Sequence, residues 1–547
     1  MSVNESDRFL DLRKKIFNYE VSNDPILATS LGIHCYDSEW PKVTEESIDS
    51  YVKRYGRWKG ELEGLDGELL SEEERRSRDV GVHYLDLKSF RLSTLRNWKR
   101  VPDAPILVGN GLYPLVRGSD RLDGRRLENG ISRISNIPDY LERSKELVSQ
   151  PDTPLVEFVK DSLAELLELL DSIKEKAARN SNRDVLEEID HVLEEAKHSL
   201  HEYGNWLESR AERMRRTPSF DRGVFQELLE KKKVGYEVDE IVGLGKEYLD
   251  RSREVMERYA RRVERELSPG DAMRRIETNC PSDLDEALSW YRKSLEEARS
   301  YIKKRNILSL SGDEGLKVRT TPGYMQSLEP HGYYTPPMKY DEGSQGTLFV
   351  TPERNPEDRK KFSFWRIRNT AQRETYPGRH VLQARTNEID DLFQLLSSSA
   401  QTLGGWSIYC ENMMRDYGFG DTPESHLIGG KTLRRAAARA LIDVKLSTGE
   451  FSPEEGVNFL ADTTRMSQST ARAEVAEWNL NPGDLLGGLM GYHKIKKLQD
   501  DVKWGLGGDY SDRLFHDKFI SSGPIPLELI EERMDQFISR HNEQNHA

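Results

Sequence analysis

The residues best suited to chemistry lie in one short segment, RETYPGRH at positions 373–380. Glu374 could take a proton from water as a general base, and His380 could bind a metal ion, so the segment looks like part of a metal-hydrolase site. Arg373 and Arg379 stand where such a motif would carry further metal ligands. A guanidinium has no free lone pair at accessible pH and cannot bind a metal. The segment is therefore either an active site that uses other residues or one that has lost its metal.

Metal-free chemistry is the alternative for the same region. Cys410 could act as a nucleophile if His380 and the two arginines lay beside it, although a small buried residue in a helix is the simpler interpretation. Glu374 could instead form a salt bridge with an arginine, and His380 could be a hydrogen-bonded structural residue. Neither a Gly-x-Ser-x-Gly turn nor a glycine-rich phosphate loop occurs in the sequence.

The composition is that of a folded protein with solvated helix faces. The chain has 547 residues, of which 36% are hydrophobic and 32% charged, and a net charge of −14. The net negative charge argues against nucleic acid as a partner. No apolar run reaches the roughly 18 residues that a membrane span needs, and the polar start lacks the apolar core of a signal peptide. The three cysteines lie far apart, which argues against a disulfide framework. We therefore expect a cytoplasmic protein without a membrane partner.

The elements that must position the motif are mostly long amphipathic helices. Leu and Val recur at three- and four-residue spacing through 153–180 and 182–216, as in helices with one buried face. The segment 307–355 is rich in Pro, Gly and Tyr and predicts short strands and turns. The sequence thus predicts a mainly α multi-helix bundle. Its parts are an N-terminal helical part, 1–306, a β insertion beside the central cleft, 307–355, and a C-terminal helical part with the motif, 356–547, within one integrated domain.

Two tyrosines of the insertion are candidate ligand contacts. Tyr333 and Tyr334 could line a peptide groove beside the motif, or they could simply pack a hairpin. The sequence does not separate these two interpretations.

The motif resembles that of a known family. NTAQRETYPGRHVLQ (369–383) and TLGGWSIYCENMMRDYG (402–418) are similar to the domain of unknown function 885 family, prokaryotic proteins that resemble zinc metallopeptidases. The family pattern is His-Glu-x-x-Pro-Gly-His-His, followed further along by Glu-Gly-Trp-Ala-x-Tyr-x-Glu. DPILATSLGIHCYD (24–37) and FHDKFISSGPIPLELIEERM (515–534) resemble its terminal signatures. The resemblance therefore covers nearly the whole chain and implies a fold like that of helical zinc peptidases.

The resemblance assigns a role to each motif position. Two His and a later Glu would hold zinc, with one coordination position left open for water, and the Glu beside the first His would be the general base. Arg373 stands at the first His, Glu374 at the general base, Arg379 and His380 at the terminal His pair, and Gly404 at the Glu ligand. At most one ligand of three is retained, so the resemblance implies that zinc and any other cofactor are absent.

Downstream positions depart from the family pattern as well. Polar groups that look like transition-state or substrate contacts in the family are replaced by Ser447, Glu477, Gly488 and Leu489. The positions that shape backbone and core are kept, namely Pro377, Gly378, Trp406, Tyr409, Pro482 and Gly483. The residues that shape the scaffold are therefore retained, while the residues that would carry the catalytic chemistry are not.

These observations predict a catalytically inactive homologue of a zinc metallopeptidase whose cleft binds peptide-like or carboxylate ligands, or a protein partner. Arg373 and Arg379 would replace the charge of the metal by pairing with Glu374 and Glu411. The expected ligand-binding residues are Arg373, Arg379, His380, Glu411, Tyr333 and Tyr334, with Glu374 retained but idle. The alternatives are an active hydrolase with altered or metal-free chemistry around Glu374 and His380, and an interaction protein with a filled cleft. Oligomeric state stays open.

Overall fold

The computed structural model describes residues 4–546 except 117–123, 180, 214–218, 312–314, 327–328, 330–331, 342 and 354–355. It is mainly α-helical with one small sheet, which confirms the fold class predicted from the sequence. Contacts divide the chain into two compact units, 1–218 with 322–330 and 338–344, and 219–321 with 331–337 and 345–547. The first break lies inside the N-terminal part predicted from the sequence, and the segment 307–355 is shared between both units.

The first unit is built from ten helices within its described residues. Their bounds are α1 Glu5–Asn23, α2 Pro25–Leu31, α3 Glu45–Glu63, α4 Glu72–Phe90, α5 Asn97–Arg100, α6 Ala104–Val116, α7 Gly124–Ser135, α8 Ile137–Leu147, α9 Thr153–Ala178 and α10 Arg183–Arg213.

The second unit carries the motif, and its described part contains the remaining helices and the sheet. The helices are α11 Arg222–Lys231, α12 Val238–Val263, α13 Pro269–Ile276, α14 Leu284–Arg305, α15 Phe364–Thr370, α16 Arg379–Thr386, α17 Leu392–Leu396, α18 Ala400–Asp416, α19 Pro423–Ser447, α20 Pro453–Thr464, α21 Gln468–Leu480, α22 Gly487–Leu506, α23 Asp512–Ile520 and α24 Leu527–His546.

The start of α19 shows how local sequence sets a helix boundary. Thr422 caps the helix, because its hydroxyl oxygen accepts a hydrogen bond from the N–H of Ser425. The hydroxyl oxygen of Ser425 accepts one from the N–H of Thr422, and the two bonds form a capping box. Pro423 occupies the first turn, where its missing N–H costs nothing. The helix then packs along α12, where Gly245 lets Leu441 approach so closely that an added Cβ would lie 2.8 Å from the leucine Cγ.

The sheet has the order β1-β3-β2, with β1 Leu316–Thr320, β2 Tyr333–Thr335 and β3 Gly346–Val350. β1 pairs with β3 in parallel, and β2 pairs with β3 antiparallel. Within the described sheet, β1 and β2 are therefore both edge strands.

Trp406, Tyr409 and Gly483 support the core of the second unit. Trp406 is fully buried and stacks on Tyr409 and Phe519 at centroid distances of 5.4 and 4.8 Å. The hydroxyl of Tyr409 lies 2.8 Å from Nε2 of His516. Gly483, at φ +81°, donates its N–H to the buried Asp443 at 2.8 Å. Burying aromatic side chains of this size contributes roughly 1.5–3 kcal/mol each, so these residues are explained by stability alone.

None of the helices described by the structure combines the length and the apolar composition needed to cross a bilayer.

Candidate ligand-binding site

The motif lies where a helix is interrupted. α15 continues as one π-helical turn, Ala371–Thr375, and the chain then breaks at a cis Tyr376–Pro377 bond before α16 begins. Trp406 of α18 donates its indole N–H to the carbonyl of Pro377 at 3.1 Å, and Gly378 donates to the carbonyl of Gln372 at 3.0 Å. Single π-turns inside helices are frequent at functional sites because they re-aim side chains.

The structure makes one of the two ion pairs expected at the motif. Nη1 of Arg379 lies 3.3 Å from Oε2 of Glu374. Glu411 is buried and binds Nη1 of Arg415 at 2.7 Å, so its ion pair is with its own helix and not with a motif arginine. The four-residue spacing of Glu411 and Arg415 is the signal that the sequence analysis missed.

Arg373 has no ion-pair partner within 4.0 Å among the described residues. Burial lowers the pKa of its guanidinium, and the nearby carboxylates of Glu374 and Glu411 oppose that effect. Both carboxylates are already paired with other arginines. Nε of Arg373 is also buried without a hydrogen-bond acceptor. Arg373 thus keeps unused hydrogen-bonding capacity at its buried Nε.

His380 is fully buried and held by aromatic neighbours. Its Nδ1 lies 2.8 Å from the hydroxyl of Tyr334, and the rings of Tyr334 and Tyr376 meet it edge-on. Burial lowers the pKa of His380 to about 4, and the charge of Arg299 acts in the same direction. His380 is therefore neutral at physiological pH. No group of three or more His, Cys, Asp or Glu side chains suited to a metal occurs in the part of the chain that the structure describes.

Gly404, which the resemblance matches to a Glu ligand, lies where α18 crosses α22. A Cβ on Gly404 would lie 3.0 Å from Cα and 3.1 Å from N of Gly488 on α22. The next contact along the crossing is closer, because a Cβ on Gly405 would lie 2.3 Å from the carbonyl carbon of Gly491. The crossing therefore leaves no room for a side chain at Gly404 or Gly405.

The two tyrosines of the insertion pack within the unit. Tyr333 stacks on Phe349 of β3 at 4.7 Å between ring centroids, and Tyr334 contacts His380. Both side chains are half-buried.

A pocket beside the motif contains residues that sequence analysis did not single out. It has a volume of about 480 Å³ and is bounded by Tyr376, by four α14 residues and by four consecutive residues of β1. The lining side chains are Arg292, Leu295, Glu296, Arg299, Leu316, Lys317, Val318, Arg319 and Tyr376. The α14 residues recur at helical spacing and share one face. Because neighbouring strand residues point to opposite sides, four in a row can line a pocket only along the strand edge.

The thiol alternative does not fit the position of Cys410. The residue is fully buried, and burial raises the pKa of its thiol well above the usual value. The thiolate, which is the reactive form, is therefore scarce at neutral pH.

We expect native Cys410 to resist alkylation while Cys35, which is exposed, reacts readily. Iodoacetamide labelling followed by peptide mapping measures both residues in one sample, so Cys35 is the internal control. Labelling of Cys410 at a rate similar to Cys35 without denaturant would contradict its burial and restore the thiol hypothesis.

The family model described as "Bacterial protein of unknown function (DUF885)" matches residues 25–534. The chain belongs to this family. No curated protein matches it.

Two solved structures share the fold. One is of a "putative lipoprotein of unknown function" from Shewanella oneidensis, with 19% identity, a TM-score of 0.78, and coverage of 96% of this chain and 99% of that one. The other is of a "putative lipoprotein" from Colwellia psychrerythraea, with 15% identity, a TM-score of 0.83, and coverage of 98% and 100%. At these identities the likeness is one of fold.

The comparison contradicts one prediction for this DUF885 protein. Both similar structures are described as a "putative lipoprotein", so the cytoplasmic location predicted from the sequence is wrong. The prediction rested on the lack of a long apolar run, on the polar start and on the scattered cysteines, and these features do not decide the location of the folded protein. Export and lipid anchoring depend on a leader and a lipid-carrying residue, and the acidic, helical surface is compatible with either location.

Proposed function

We propose that this DUF885 protein is a non-catalytic homologue of a zinc metallopeptidase that binds extended, peptide-like ligands carrying a carboxylate. The observation that carries the proposal is the basic pocket along the edge of β1, directly beside Tyr376 of the motif. Its volume of about 480 Å³ lies in the range of ligand pockets.

The strand edge supplies a way to hold a peptide backbone. Within the described sheet, β1 pairs on one side only, with β3. The N–H and C=O groups along an unpaired edge can form a ladder with an added extended peptide, independently of its side chains. Affinity would come from this ladder, and selectivity from the groups around it.

The charges around the strand edge favour an anionic ligand. The pocket is lined by four cations and one carboxylate, so the lining has an excess of three positive charges, from Arg292, Arg299, Lys317 and Arg319 against Glu296. Lys317 and Arg319 are exposed, which leaves their charges available to a carboxylate. Arginine suits this role because its planar fork binds a carboxylate through two parallel hydrogen bonds.

The zinc ion that the full family motif would hold does not fit the residues of this chain. Arg373 and Arg379 offer no lone pair, Gly404 offers neither a side chain nor the space for one, and Glu374 is engaged by Arg379. His380 is the single remaining ligand, and a structural or catalytic zinc needs three or four. We therefore assign no catalytic step to the site.

The test is binding of a fluorescent tripeptide with a free C-terminal carboxylate and of its C-terminal amide. The Lys317→Gln, Arg319→Gln double variant should raise the dissociation constant of the free acid about tenfold or more, since two cations near the carboxylate are lost. Lys304→Gln, on the exposed side of α14, removes a cation outside the pocket and should leave binding unchanged.

Two outcomes would overturn the proposal. Equal affinity for the acid and the amide would show that the pocket does not select a carboxylate. Hydrolysis of a peptide library that is abolished by a chelator would show an active metalloenzyme.

A further inference from the structure

The backbone of β1 directs its polar groups alternately towards β3 and towards the open edge of the described sheet. Gly346 donates its N–H to the carbonyl of Gly315 at 3.1 Å, and Thr321 donates to the carbonyl of Val350 at 2.9 Å. The N–H and C=O of one strand residue point to the same side, and that side alternates along the strand. The odd-numbered residues of β1 therefore bond to β3. The even-numbered residues present their N–H and C=O groups at the open edge, and these are Leu316, Val318 and Thr320.

The side chains of β1 alternate between two different faces. Val318 is only 9% exposed, whereas Lys317 and Arg319 on either side of it are exposed. Val318 and Tyr334 of β2 are in register with the same residue of β3, so their side chains share one face of the sheet. The hydroxyl of Tyr334 lies 2.8 Å from Nδ1 of His380, so this face is turned towards the motif. Lys317 and Arg319 belong to the opposite face.

The pocket along β1 therefore has an apolar side and a charged side. Leu295 of α14, Val318 and Tyr376 of the motif are buried and line the pocket on the side of the motif. Lys317 and Arg319 line it from the other face of the strand. A peptide strand added at this edge would meet apolar atoms on one face and two cations on the other.

The alternation of the edge decides which ligand residues bond to β1. A ligand strand antiparallel to β1 would place one residue opposite Val318, and the two residues would exchange both backbone hydrogen bonds. The ligand residues on either side of it would stand opposite Lys317 and Arg319 as non-hydrogen-bonded pairs, in which the Cα atoms lie about 4.5 Å apart and the side chains approach closely. Opposite charges stabilise such a pair, and like charges destabilise it.

We propose that the edge of β1 selects extended peptides in which one apolar residue stands between two acidic residues, bound antiparallel to the strand. The apolar side chain packs against Leu295, Val318 and Tyr376, and the two carboxylates pair with Lys317 and Arg319. This inference rests on the proposed function, because it uses the same pocket. It adds the order of the ligand's side chains and the direction of its chain.

The experiment compares two peptides of one composition, labelled with a fluorophore at the N-terminus, by anisotropy titration of the full chain. Ala-Glu-Val-Glu-Ala has the alternation, and Ala-Val-Glu-Glu-Ala has the same charge and the same free C-terminal carboxylate without it. The first peptide should bind about fivefold or more tightly. When the valine of the second peptide stands opposite Val318, only one of its glutamates can stand beside a cation of β1.

Methylation of single backbone nitrogens of the first peptide tests the hydrogen bonds and the direction. On the valine it removes the N–H that is donated to the carbonyl of Val318, and binding should weaken about tenfold or more. On the second glutamate it should leave the affinity nearly unchanged, because in an antiparallel pair that N–H points away from β1. In a parallel pair the glutamate N–H would point towards β1 instead.

Charge reversal in the protein tests the two cations. The Lys317→Glu, Arg319→Glu double variant should prefer Ala-Lys-Val-Lys-Ala to Ala-Glu-Val-Glu-Ala, since the cross-strand charges are exchanged. Lys303→Glu, Lys304→Glu makes the same charge change at exposed positions of α14 outside the pocket lining and should keep the preference for glutamate.

The outcomes distinguish this inference from the proposed function. Equal affinity for the two peptides of one composition would overturn the alternation and leave the carboxylate pocket in place, since both peptides carry the terminal carboxylate. Weakening by methylation at the glutamate and not at the valine would overturn the antiparallel direction. If neither peptide bound, this inference and the proposed function would both fail.

Discussion

Gly378→Ala should lower the free energy of unfolding by about 3–4 kcal/mol, a large loss for the addition of one methyl group. A Cβ at Gly378 would lie 1.8 Å from the carbonyl oxygen of Arg373 and 2.6 Å from that of Gln372. Both carbonyl oxygens belong to the backbone, so no side-chain rotation can move them away from the added methyl group. The turn would have to open, and the indole N–H of Trp406 would lose its buried acceptor on Pro377.

Denaturant melts followed by tryptophan fluorescence measure this loss. Gly243→Ala is the matched control, because Gly243 lies inside α12 with nothing within 4 Å of an added Cβ. It should gain about 0.5–1 kcal/mol from the better helix propensity of alanine. If both variants gained stability, the close approach of the motif turn to Arg373 would be refuted.

Lys431→Met should raise the free energy of unfolding by on the order of 2 kcal/mol at pH 7, an unusual sign for losing a partly buried side chain. The pKa of Lys431 falls from 10.5 to about 8 on folding, so keeping its proton costs free energy in the native state. Methionine keeps most of the aliphatic stem and removes the charge. Partial exposure and screening by water keep the gain below the full value of the shift.

The sign of the pH dependence provides the check. Below pH 8 both states carry the proton and the penalty is fully present, so the variant is the more stable protein. Between pH 8 and 10.5 the unfolded chain binds more protons than the native one, so the wild-type protein gains stability relative to the variant. Melts from pH 7 to pH 10 in phosphate-free buffer measure the difference.

Lys497→Met changes an exposed lysine and should leave the stability unchanged over this pH range. A lower stability of Lys431→Met at pH 7 would contradict the expected cost of keeping the proton on the buried ammonium.

Local patterns predicted the architecture because they act over a few residues. Apolar residues at three- and four-residue spacing predicted the long helices, and the Pro-, Gly- and Tyr-rich stretch predicted strands between 307 and 355. The pairing of β1 with β3 in parallel was not predicted, since strand order depends on the helices that cover the sheet and not on the strands themselves.

The ion pairs of the motif show where sequence reasoning reached its limit. The pairing of Arg379 with Glu374 followed from their types and closeness in the chain. Glu411 was expected to pair with a motif arginine but binds Arg415, because a partner one helical turn away requires no particular tertiary arrangement. The contact of Gly404 with Gly488 could not be read from either segment, since it depends on how two helices cross.

By itself, the sequence determined the helical class and the turn that interrupts the helix between Arg373 and Arg379, because these depend on residue type and short-range periodicity. Only the tertiary structure decided which carboxylates those arginines meet and that α18 and α22 close over Gly404. It alone also brought the β1 edge and one face of α14 together as a basic pocket. Charges and surfaces distant in the chain become neighbours through packing, and packing is set by the whole core.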